Sequence, residues 1–117
     1  MAQIATTIEQ SKKLIELGLS ADTADMYYPL PCDESDLPQV GVCGFGCTPA
    51  WSLSALIELM PIKIRNSKQF TIYKGESGYS LTYFFHDEDY PIIKDGVTIL
   101  DTAFEMVCYL LENKLIK

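Results

Sequence analysis

Histidine occurs once in this chain, long apolar runs do not occur, and basic residues are scarce. Each shortage excludes something. One histidine in 117 residues, His86, cannot build the multi-histidine sites through which His-Asp hydrolases hold metals. No apolar run approaches the ~20 residues that span a bilayer, so no membrane-crossing helix is expected. A charged start, an apolar stretch and a small-residue cleavage site are not seen in succession, and the expected compartment is the cytoplasm. Nine Lys and Arg against sixteen Asp and Glu give a net charge of −7. A phosphate backbone favours several cations acting together, so neither nucleic acid nor a membrane surface is expected as a partner. Phosphate loops and hydrolase elbows are missing as well. Gly41-Val42-Cys43-Gly44-Phe45-Gly46 matches neither G-x-x-x-x-G-K-[ST] nor G-x-G-x-x-G opening a helix, and G-x-S-x-G and H-E-x-x-H are absent. The sequence itself states no activity.

What is present is core-forming material: 48% of the chain is hydrophobic and 11% aromatic. The length fits a single domain spanning residues 1–117, since typical domains run to about 100–150 residues. Such a chain buries roughly two-thirds of its unfolded surface and needs no staples. Charge comes in blocks. Residues 20–58 hold acids and no Lys or Arg, residues 59–75 hold Lys63, Arg65, Lys68 and Lys74 and no acid, and residues 76–105 are acidic against Lys94 alone. Acidity of this kind serves solubility.

Three helices are predicted. Thr6-Thr7-Ile8-Glu9 reads as a capping box with Thr6 at the cap; Ile4, Ile8, Ser11 and Ile15 then share a face, with Leu14 beside it. Gly18 supplies a left-handed stop, and Ser20 caps one or two short turns before Met26, Tyr27 and Tyr28. Thr48-Pro49 reads as the second start, because proline at the first helical position lacks only an N–H that would be unpaired. Trp51, Leu53, Ala55, Leu56, Ile57, Leu59 and Met60 surround that helix almost completely, the pattern of a buried helix, and Pro61 ends it. In the last helix Leu100, Ala103, Phe104, Val107, Leu111 and Leu115 make one apolar face, opposite Asp101, Glu105, Tyr109 and Glu112.

Gln69–Tyr73 and Tyr79–Phe85 are rich in aromatic and β-branched residues around Lys74-Gly75-Glu76-Ser77-Gly78, a β-hairpin. Ile92-Ile93 before Lys94-Asp95-Gly96 offers a third short strand. Residues 29–47 read as a long loop in which Val40–Cys43 could form an edge strand; loops of this length are usually functional or conceal an element. The expected architecture is two-layer α+β, three helices on a small antiparallel hairpin.

Cysteine is the unusual component. Without an export signal, Cys32, Cys43, Cys47 and Cys108 are expected reduced. Cys43 and Cys47 stand at a spacing zinc ligands use, and Cys32 and His86 would complete a Cys₃His set, although the second half of a zinc motif is missing. A Cys–His nucleophile would need one of these thiols beside His86, and nothing in the sequence brings them together. His86-Asp87-Glu88-Asp89 otherwise reads as a solvated loop, and no cofactor is expected.

Pro49-Ala50-Trp51-Ser52-Leu53-Ser54-Ala55-Leu56 resembles a segment found in a family of small uncharacterised proteins from gut anaerobic bacteria and their phages. So do Ala103–Asn113 and the opening from Ile8 to Tyr27. That resemblance implies a phage or mobile-element setting and transfers no site. With no catalytic motif and an apolar surplus in the 49–60 helix and the aromatic-rich hairpin, the expectation is a non-enzymatic, acidic protein-interaction module that self-associates as a homodimer through Trp51, Tyr73, Tyr79, Tyr83 and Tyr109. The alternatives are a small zinc-binding protein using Cys32, Cys43, Cys47 and His86, and a Cys/His-dependent enzyme.

Overall fold

The computed structural model describes residues 4–29, 37–41, 47–64, 67, 69–86 and 91–116. Thr7 rather than Thr6 caps the first helix. Its hydroxyl accepts from the Gln10 amide at 3.1 Å while the Gln10 side chain accepts from the Thr7 amide at 2.9 Å, a reciprocal capping box. Helix α1 (Ile8–Glu16) buries Ile8, Ser11 and Leu14 and leaves Ile4 and Ile15 exposed. The one-residue shift has a cause. Thr6 is fully buried, and its hydroxyl is engaged by the Trp51 amide at 3.1 Å and the Ser11 hydroxyl at 2.8 Å. Past the helix, Gly18 takes φ +101° and the Leu19 amide donates to the Leu14 carbonyl at 3.0 Å, closing a Schellman stop. One 3₁₀ turn, Ala21–Thr23, follows on the Ser20 cap.

The expectation of a single hairpin is overturned. The described residues form two three-stranded antiparallel sheets, still within the α+β class and still with three α-helices. The first sheet has β1 (Met26–Tyr28) between β2 (Gln39–Val40) and β3 (Thr48–Ala50). Tyr27 faces Gln39 on one side and Pro49 on the other. Thr48-Pro49 thus opens an edge strand, not a helix. Both positions suit proline for the same reason, since neither needs its missing N–H.

Helix α2 (Leu53–Leu59) starts four residues later than expected, on Ser52, whose hydroxyl accepts from the Ala55 amide at 3.2 Å. Asp25 holds that cap in place: its carboxylate accepts from the Ser52 amide at 2.9 Å and from the Ser52 hydroxyl. The helix is not buried all round. Ala55 and Leu56 are inside, Leu53, Ile57 and Leu59 are half-buried, and Ser54 and Glu58 face solvent.

The second sheet comprises β4 (Thr71–Gly75), β5 (Gly78–Tyr83) and β6 (Ile92–Gly96), with β5 central. Glu76-Ser77 turns the chain, and Lys94-Asp95-Gly96, read as a turn, lies inside β6. Helix α3 (Ile99–Glu112) starts on Thr98 and packs across β5 and β6, with α2 against it. Leu100, Phe104, Val107 and Leu111 meet Trp51, Leu56, Leu81 and Tyr83 in the main core. A smaller cluster joins Ala5, Ile8, Met26, Tyr28 and Ala50.

Two substitutions test this packing. Thr6→Val keeps the shape but strands the Trp51 amide and the Ser11 hydroxyl, and should cost about 1–3 kcal/mol in denaturant unfolding. Gly78 sits at φ +154°, where a Cβ would lie 2.1 Å from the Gly96 carbonyl oxygen. Gly78→Ala should therefore cost more than about 1 kcal/mol, read from the same midpoint, and an unchanged midpoint would contradict the close strand approach.

Candidate functional site

The cysteines and the histidine come first, because they carried the chemical alternatives. Cys47 precedes β3 and is disulfide-bonded, so it has no thiolate to offer a metal or a substrate. The expectation of reduced cysteines fails at this position. Cys32 and Cys43 lie outside the described residues. Cys108 is a free thiol buried in α3, and desolvation, with Glu105 and Glu112 adding to it, pushes its pKa up to about 12. A thiol so shifted is inert at neutral pH. His86 is exposed and makes no hydrogen bond among the described residues. No group of three His, Cys, Asp or Glu among those residues could hold a metal ion.

The groove beside α2 offers little chemistry either. It is shallow, of about 470 Å³, and is lined by Thr23, Asp25, Ser54, Ala55, Glu58 and Leu59. Both Asp25 oxygens in it are engaged by Ser52, so that carboxylate is occupied in capping a helix.

The five aromatic candidates separate sharply. Trp51 and Tyr83 are 0% exposed, which takes both off any surface. Trp51 donates its indole N–H to the Thr23 hydroxyl at 2.9 Å. Tyr83 donates to the Pro61 carbonyl at 2.6 Å, and burial raises its phenol pKa well above the usual value. Tyr79 and Tyr109 are half-buried, the latter beneath the Lys94 ammonium at 4.7 Å from the ring centroid. Tyr73 alone of the five is well exposed, at 50%.

Strand register explains the split. Leu81 and Tyr83 share the face that α3 covers, together with Ile92 and Lys94. The opposite face carries Tyr73, Ser80 and Asp95 in one row and Thr71, Thr82 and Ile93 in the next. Phe84 continues that face and meets Tyr73 edge-on, ring centroids 6.4 Å apart. Strand β4 lies beyond the cover of α3, and its Ile72, Tyr73, Lys74 and Gly75 are all exposed. Across the sheet, Ile93 and Val97 are exposed as well. These apolar residues at the margins of one sheet make the candidate functional site, an interaction surface. Ile72, Ile93 and Val97 escaped the sequence reading because apolar strand residues default to the core. Parity against Leu81 and Tyr83 is the signal that could have found Ile93.

Comparison with protein-family models, curated proteins and solved structures finds no match. Among the described residues no helix is long and apolar enough to cross a membrane.

The bond at Cys47 has a direct consequence. Reduction by dithiothreitol should add two hydrogens to the intact mass and lower stability by about 2–4 kcal/mol, measured as a fall in melting temperature. Identical masses and melts before and after reduction would remove the disulfide.

Proposed function

We propose that the protein is a non-enzymatic interaction module that self-associates. The observation carrying this reading is the apolar exposure at both margins of the second sheet, Ile72 and Tyr73 on β4 and Ile93 and Val97 at β6. Exposed apolar surface rimmed by polar residues marks interaction sites, and an uncovered strand edge is a template for pairing with another chain. Among the described residues the one free thiol is buried and held protonated. The disulfide at Cys47 suits an oxidising compartment better than the reducing cytoplasm.

Sedimentation equilibrium of the untagged, oxidised protein tests the reading. The apparent mass should rise above the 13.1 kDa of one chain as concentration increases through the micromolar range. A single-chain mass up to millimolar concentration would overturn it.

A further inference from the structure

Strand β2 buries nothing. Both of its residues are exposed, Val40 at 83%, and Leu37 just ahead of it is exposed at 62%. Among the described residues β2 is held by its pairing with β1, by the Tyr27 hydroxyl donating to the Gln39 side-chain carbonyl at 3.2 Å, and by the following Gly41 amide donating to the Asp25 carbonyl at 3.0 Å. An exposed hydrogen bond contributes little net, while every ordered residue costs backbone entropy. Strands β1 and β3 are held differently. Met26, Tyr28 and Ala50 are buried with Ala5 and Ile8, and beside them the Thr6 amide donates to the Trp51 carbonyl at 2.9 Å. One further tie reaches this sheet. Cys47, immediately before β3, is partly exposed and disulfide-bonded. Cys108 is free, which leaves Cys32 or Cys43 as its partner. Both belong to the stretch 29–47 that carries β2, so either pairing fastens that stretch to the head of β3.

We propose that the disulfide at Cys47 is a redox switch for β2. Intact, it keeps β2 on the outer edge of β1; reduced, it lets β2 leave while the rest of the fold stays. A cross-link limits the freedom of the detached segment, so cutting it raises the entropic cost of holding β2 in place. No buried side chain of β2 offsets that cost. The chemistry is ordinary thiol–disulfide exchange. A dithiol reductant attacks one sulfur and breaks the S–S bond; two electrons and two protons end on the two cysteine sulfurs as thiols, and the reductant closes to its own disulfide. What remains is self-supporting, because neither the small buried cluster nor the Thr6–Trp51 bond contains a residue of β2. The reduced form gains a bare edge along Met26–Tyr28, where β2 had paired. Such an edge accepts a strand from another chain, and the transition is an order–disorder change confined to one segment. Self-association through the second sheet is not required for it.

The experiment is amide hydrogen exchange, residue by residue, on the full chain with and without excess dithiothreitol. The Gly41 amide, bonded to Asp25, reports on β2, and the Thr6 amide, bonded to Trp51, reports on the rest of the sheet. Reduction should speed exchange at Gly41 by at least about tenfold and change Thr6 by less than about twofold. Cys47→Ser without reductant should match the reduced wild type, which separates loss of the bond from any other effect of dithiothreitol. Should that variant unfold, the reduced wild type decides alone. Equal exchange at Gly41 in the two redox states overturns the switch. Loss of protection at Gly41 and Thr6 together also overturns it, because the bond is then a staple for the whole domain.

Discussion

Thr6 is the residue on which the architecture depends. It is fully buried and makes four hydrogen bonds: its amide to the Trp51 carbonyl, its carbonyl from the Tyr28 hydroxyl, and its own hydroxyl with the Trp51 amide and Ser11. One residue thus joins the start of α1, strand β1 and the junction between β3 and α2. In a low-dielectric interior such bonds are strong when complete, and each missing partner is costly. The described residues hold no buried side-chain polar atom without a partner. The neighbouring Ala5–Ser52 bridge and the Asp25–Ser52 contacts extend the same junction.

From that junction the chain positions its second half. Trp51 is sealed into the main core, which fixes α2 against α3 and α3 across β5 and β6. A helix of this length does not cover a whole three-stranded sheet, and β4 is left outside. The exposed Ile72 and Tyr73 follow from this partial cover. The molecule's surface chemistry is consequently a matter of sheet margins, where main-chain donors and acceptors and apolar side chains occur together. An antiparallel pair standing alone is marginal in water, so the cover that α3 gives to β5 and β6 both stabilises the sheet and decides which part of it stays open.

Long elements were legible and short ones were not. Helix α3 repeats its apolar face over several turns, and Thr98 caps its start. The hairpin was legible from its aromatic and β-branched residues on either side of a glycine-flanked turn. Of the first sheet only the edge strand expected at Val40–Cys43 was glimpsed, and it lies at Gln39–Val40; strands of two or three residues are too short for alternation to register. Thr48-Pro49 added to the difficulty by fitting a helix start and an edge strand equally well. At the candidate surface, Tyr73, Tyr79 and Tyr83 looked alike in sequence, yet they run from half-exposed to wholly buried. Alternation told the two faces of β5 apart without saying which one α3 would cover.

The sequence by itself determined the α+β class, the three helices, the hairpin and the segregation of charge into blocks, because composition and periodicity are local properties. Tertiary structure alone decided that Thr6 would be a buried hydrogen-bonding hub and not a helix cap, since its partners lie 22 and 45 residues away. It also decided which sheet edges stayed open. Those outcomes depend on register and on which face a helix covers, and both are set by contacts between segments distant in the chain.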